Sequence, residues 1–147
     1  MKNGTTDYNS SFDRIDARES VYLYIAESQI PDSGYGLYTA IPIWKNEIIS
    51  FFKGEILTQN EACKRAKKGE DKYFMNMPDG HIMDSKNKKC FAKYSNDPEG
   101  SVKTNFKINA VITLDDRNKV CLVANMDIKT GDEIFCSYGK KYWRKYN

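Results

Sequence analysis

Apolar residues in this chain come in short, separated runs rather than in long periodic stripes. Val21-Tyr22-Leu23-Tyr24-Ile25 is aromatic and β-branched, as suits a strand, and Pro31-Asp32-Ser33-Gly34 halts it. The next run, Ile48-Ile49-Ser50-Phe51-Phe52, stops at Gly54. Further on, the alternation Phe106, Ile108, Ala110, Ile112, Leu114 places apolar groups on one face of an extended segment. Asp115-Asp116-Arg117-Asn118 then turns the chain into Lys119-Val120-Cys121-Leu122-Val123, which predicts a hairpin. A second hairpin is predicted where Pro78-Asp79-Gly80 separates residues 73–77 from His81-Ile82-Met83. One short helix is predicted after Thr58, because Thr58 and Glu61 have the spacing at which a hydroxyl and a carboxylate cap each other's amides, and Gly69 stands where the helix would stop. Many short strands with one or two short helices, and neither βαβ alternation, heptads nor an internal repeat, predict a mainly β domain.

Residues 1–20 are polar and aperiodic and read as a flexible amino-terminal arm, which leaves 21–147 as the domain. With 147 residues, 40% of them hydrophobic, the chain is long enough for one sizeable core. Its 23 basic and 20 acidic residues leave a net charge of only +3, too balanced for the footprint of a nucleic-acid-binding protein. No direct nucleic-acid contact is required by it. The clusters Lys64-Arg65-Lys67-Lys68 and Lys86-Lys88-Lys89 read as solvated faces. Cys63, Cys90, Cys121 and Cys136 lie far apart, and His81 is the only histidine, so reduced thiols and no metal site are expected. No apolar run approaches the roughly 20 residues needed to span a bilayer, so a soluble protein without membrane contact is expected, intracellular and either nuclear or cytoplasmic.

Candidate chemistry gathers at four places. Ser33-Gly34-Tyr35-Gly36-Leu37-Tyr38 sets two glycines around an aromatic residue just after a strand, a pattern that taken alone is a tight turn. Gly54-Glu55, Tyr73 and Met83-Asp84-Ser85 follow in order, then Cys90-Phe91-Ala92-Lys93-Tyr94-Ser95-Asn96-Asp97-Pro98. Near the end, the turn DIKTGDEI and a short apolar strand deliver Tyr138-Gly139, with Tyr142-Trp143 beyond.

This collinear order, from about Val21 to Trp143, resembles the SET-domain protein lysine methyltransferases. The resemblance implies a SET-domain-like fold: several small sheets, one or two short helices, and a pseudoknot-like threading of the carboxyl-terminal region. It implies S-adenosyl-L-methionine as cofactor and a lysine-bearing protein or peptide, possibly a histone, as substrate. On it, Gly34, Tyr35, Gly36 and Leu37 would line the cofactor with Lys93, Tyr94 and Trp143, and residues 140–146 would form a helix closing that site. Tyr138 and Tyr73 would be the catalytic phenols, and Tyr73, Cys136 and Tyr138 would form the substrate channel. Phe91, Ser95 and Pro98 match the family's R-F-I-N-H-S-C-x-P signature, whereas Cys90, Lys93 and Tyr94 stand where Arg, Asn and His are usual. The cysteine-rich, zinc-binding tail that often follows the domain has no counterpart in this sequence. An alternative implication is a catalytically silent SET-like module that binds a peptide or partner protein.

Overall fold

A computed structural model describes residues 12–77, 80–100 and 104–137. In chain order its elements are β1 (Asp13–Arg14), α1 (Glu19–Tyr22), β2 (Leu23–Glu27), β3 (Tyr35–Thr39), β4 (Glu47–Phe51), β5 (Glu55–Leu57), α2 (Gln59–Lys67), β6 (Phe74–Asn76), β7 (Ile82–Asp84), a 3-10 turn (Ala92–Tyr94), β8 (Ala110–Leu114), β9 (Val120–Ala124) and β10 (Glu133–Ile134). The strands form three small sheets, ordered β1-β4-β9-β8, β10-β3-β2 and β5-β7-β6. Apart from the parallel β1–β4 pair, all ladders are antiparallel. No helix among the described residues is long and apolar enough to cross a membrane.

Both predicted hairpins form. β8 and β9 pair from Ala110↔Ala124 to Leu114↔Val120, and the Asp115 carboxylate closes the turn by accepting from the Arg117 and Lys119 amides at 2.9 Å. The strand starts at Ala110 rather than Phe106, however. Asn109 diverts the preceding segment: its side-chain oxygen accepts from the Phe135 amide and its amide donates to the Glu133 carbonyl, while Phe106 stacks on Phe135 at 5.3 Å. β6 and β7 pair around the 77–81 turn, of which residues 78 and 79 lie outside the described set. The α2 cap is the reciprocal one expected: Glu61 N–H donates to Thr58 Oγ1 at 3.2 Å, and Thr58 N–H to Glu61 Oε1 at 3.1 Å.

The amino-terminal expectation needs correction, since order begins well before Val21. β1 extends the largest sheet by pairing Asp13 with Glu47 and Arg14 with Ile48, and Glu19 folds over the same strand by accepting from Ser50 Oγ and the Phe51 amide. The polar composition of this stretch concealed it, because it is held by backbone and carboxylate hydrogen bonds rather than by an apolar stripe. Val21 and Tyr22 close a helical turn, with the Leu23 amide donating to the Glu19 carbonyl, so β2 starts only at Leu23.

β9 is buried along its whole length and supplies both sides of the core. Leu122, Val120 and Ala124 join the main cluster with Leu37, Ile43, Ile49 and Ile134, and Cys121 and Val123 pack with Ile48 against Phe12 and Phe51.

Candidate functional site

Three segments far apart in sequence meet at residues 93–96. Asn96 donates through its side-chain amide to the Tyr35 carbonyl at 2.9 Å, so the amino end of β3 is fastened there. On its other side Asn96 forms a parallel bridge with Phe135, Cys136 N–H donates to the Asn96 carbonyl at 3.0 Å, and Ser95 Oγ donates to the Ile134 carbonyl. Tyr73 approaches from the turn before β6 and meets Tyr94 edge-on at 6.3 Å. The described site residues Tyr35, Tyr73, Lys93, Tyr94 and Cys136 therefore share one neighbourhood. Tyr138 and Trp143 lie outside the described residues, as does the expected helix at 140–146.

The glycine pair has two different physical reasons. Gly34 ends the turn with φ +67°, a left-handed backbone that side chains disfavour, and a Cβ there would meet nothing within 4 Å. Gly36 is required by packing: a Cβ would overlap the Glu133 carboxylate, lying 2.8 Å from its Cδ, and would press on Ser28 Cα at 3.3 Å. Glu133 is 2% exposed and is held in place by Ser28 Oγ at 2.7 Å, the Gln29 amide at 2.8 Å and Tyr38 Oη at 3.2 Å. Burial, followed by the neighbouring carboxylate, pushes the Tyr38 phenol up to about 12. Gly36 thus lets β10 and its buried acid lie directly under the turn. Leu37 is 0% exposed, paired with Ile25 and Ile134 on its two sides, and so belongs to the core beneath the turn, whereas Tyr35 is 66% exposed.

Lys93 lies over both tyrosines, its Nζ 5.2 Å from the Tyr73 ring centroid and 5.4 Å from that of Tyr94. The ammonium also donates to the carbonyls of Ser85, Lys86 and Lys88 at 2.9, 3.4 and 3.1 Å. All three of its protons have acceptors in the 85–88 loop, so in this arrangement it clamps that loop to the 3-10 turn rather than facing an outside anion. Desolvation, then the neighbouring Tyr73, raises the Tyr94 phenol above its ordinary range. Cys136 is fully buried with its Sγ 3.8 Å from the Ser95 carbonyl, and burial pushes its thiol up to about 12.

Gly54-Glu55 and Asp84 have a structural task. Arg65 of α2 reaches Asp84 Oδ2 at 2.8 Å and both Glu55 oxygens at 3.0 and 3.2 Å, tying the helix to β5 and β7. Asp84 in turn accepts from the Lys86 amide, and the Ser85 amide donates to the Tyr73 carbonyl, so this triad also sets the loop that Lys93 clamps. Sequence reasoning passed over Asn96, Asn109 and Glu133. Asn109 and Glu133 are polar residues beside apolar runs and Asn96 lies in a polar stretch between Ser95 and Asp97, and the only local signal for Glu133 was its place in a turn motif.

The SET domain family model matches residues 34–139. Over 128 residues, 85% of the chain, it is 24% identical to histone-lysine N-methyltransferase EZA1 of Arabidopsis thaliana. A solved structure of ctPRC2, in an autoinhibited conformation bound to S-adenosylmethionine, superposes with a TM-score of 0.66 at 21% identity over 80% of the chain. The chain spans 14% of the first protein's length and 15% of the second's.

Proposed function

Because the chain belongs to the SET-domain family, we propose that it transfers methyl groups from S-adenosyl-L-methionine to a lysine ε-amine of a protein substrate, a histone tail or another basic protein. The observation that carries this reading is the meeting, at residues 93–96, of the β3 turn, Tyr73 and the strand leading to Tyr138. The likeness to a histone-lysine methyltransferase and to a structure bound to S-adenosylmethionine supports the same chemistry.

The residues present suit the cofactor in part. The exposed Tyr35 ring and the open turn at Gly34 offer a ledge for an adenosyl group, and the Tyr73 and Tyr94 faces suit a cation. Lys93, with its ammonium already engaged, would contribute through its backbone and by holding the two rings. The cofactor's sulfonium would supply an electrophilic methyl group.

The protein must then deliver a neutral amine in line with that methyl. At an ordinary lysine pKa near 10.4, about one amine in a thousand is neutral at pH 7, a cost of roughly 4–5 kcal/mol. In this scheme a water-poor setting beside Tyr73, next to the sulfonium, would disfavour the charged amine and lower its pKa. Holding nucleophile and methyl in line accounts for much of the remainder, for which oriented intramolecular reactions allow about 7–11 kcal/mol. In this scheme Tyr73 confines the amine and the Tyr138 hydroxyl orients the reacting groups, with no general base and no covalent enzyme intermediate. Nuclear or cytoplasmic residence accords with such a substrate.

Incubation with methyl-labelled cofactor and a panel of histones and cell lysate tests the activity. Label should enter a protein band, and Tyr138→Phe should reduce incorporation by at least about a hundredfold with the circular dichroism spectrum unchanged. A fully active Tyr138→Phe enzyme would remove the role assigned to that phenol. One observation favours a second reading, a silent SET-like module that binds a peptide: a cation of the chain itself already occupies the faces of Tyr73 and Tyr94. Calorimetric titration with S-adenosylmethionine separates the two, since absence of binding favours the silent module.

A further inference from the structure

Beside the candidate site is a cavity of about 830 Å³ between the amino-terminal segment, β4 and the 86–94 loop. It shares Lys93 and Tyr94 with the site, but Gly34, Tyr35, Gly36, Tyr73 and Cys136 do not line it. Its wall carries seven cationic side chains, Arg14, Arg18, Lys53, Lys86, Lys88, Lys89 and Lys93, against one carboxylate, Glu19. That carboxylate is already spent on Ser50 Oγ and the Phe51 amide. Of the cations, Lys86 pairs with Glu70 at 3.4 Å and Lys93 is held by carbonyls, whereas Arg18, Lys53 and Lys89 form no salt bridge among the described residues and are exposed. The floor is apolar and partly aromatic: Phe91 is half-buried beside Ile25, while Arg14 lies over the Phe51 ring at 5.7 Å and Lys93 over the Tyr94 ring at 5.4 Å.

A cavity of this size is in the range that encloses a small organic ligand. Its charge selects the ligand's sign. Lysine-rich substrates are cationic, and S-adenosylmethionine, with a sulfonium and an ammonium against one carboxylate, is net positive, so both are disfavoured by a wall with seven cations and one carboxylate. We infer that this cavity is a separate binding site for a small aromatic anion of the nucleoside-phosphate type, its ring against Phe91 and Ile25 and its phosphates at Arg18, Lys53 and Lys89. Planar rings stack on aromatic side chains without needing a particular base, and lysine and arginine bind phosphate as charge and as a fork respectively.

Calorimetric titration of the full chain with ATP, adenosine, inorganic phosphate and a glutamate-rich peptide tests this inference. ATP should bind with a Kd below about 1 mM that weakens as salt is raised, and adenosine or phosphate alone should bind at least about tenfold more weakly. The double charge reversal Lys53→Glu/Lys89→Glu should weaken ATP binding about tenfold or more with the melting temperature unchanged, and Arg18→Glu provides the same reading should the double variant fold poorly. The inference is overturned if no probe binds, if adenosine binds as well as ATP, if the charge reversals leave ATP binding intact, or if the acidic peptide binds more tightly than ATP. Competition with S-adenosylmethionine would also overturn it, by making the cavity part of the cofactor site. The ATP titration needs no methyltransferase activity, so its outcome is independent of the outcome of the labelling experiment.

Discussion

Gly36 and Glu133 form the tightest pairing of single residues near the site. Gly36→Ala must displace a carboxylate held by Ser28, Gln29 and Tyr38, and is expected to cost about 1–3 kcal/mol in a urea titration, the range for overpacking. In a Glu133→Ala background, where the obstructing carboxylate is gone, the same substitution should cost less, giving a coupling of at least about 0.5 kcal/mol. Strict additivity would mean that the crowding is absorbed elsewhere. Both glycines could be picked out by eye as a turn, but the reason for the second lies 97 residues further along the chain, beyond anything local sequence can express. Lys93 is a similar case. It stands where an asparagine is usual in the resembled signature, and only the surrounding carbonyls and rings reveal where its charge goes.

Among the elements, α2 was the most legible, since its cap is a local exchange between Thr58 and Glu61 and its end is marked by Gly69. Thr58→Ala removes one half of that exchange and should destabilise the protein by about 1 kcal/mol, read as a lower urea midpoint at unchanged slope. An unchanged midpoint would show that α2 is held by Arg65 and its packing alone. The β8–β9 hairpin was equally readable because its turn is closed by a single aspartate between two apolar runs. β1 was not, for its two residues pair with a strand more than 30 positions away and carry no periodic signal. The start of β8 was misplaced by four residues because Phe106 and Ile108 continue the alternation while Asn109 ties the backbone to β10 instead.

At the scale of the whole molecule, protons report on the core. Burial pushes the thiols of Cys136 and Cys121 up to about 12 and about 11 from 9.0, and burial with Glu133 pushes Tyr38 up to about 12 from 10.0. Below about pH 9 the folded and unfolded chains both keep these protons, so stability is full. Between about pH 9 and 12 the unfolded chain releases them first, binds fewer protons than the native state, and stability must fall. The urea midpoint should therefore decline steadily above pH 9, and Cys136→Ala should decline less steeply from its own lower starting value. A flat midpoint from pH 8 to 11 would contradict the burial of these groups.

Sequence alone determined the short-strand architecture, the helix cap, two hairpins and the order of motifs that mark a SET domain, because each of these is written in residues close to one another. Tertiary structure decided what the motifs do physically. It put a buried acid under the glycine turn, turned Glu55 and Asp84 into anchors for Arg65, brought Tyr73 and the strand before Tyr138 to residues 93–96, and gathered basic residues from three segments around one cavity. Those outcomes depend on distances across the fold between residues tens of positions apart, and a linear pattern carries composition and spacing but not proximity.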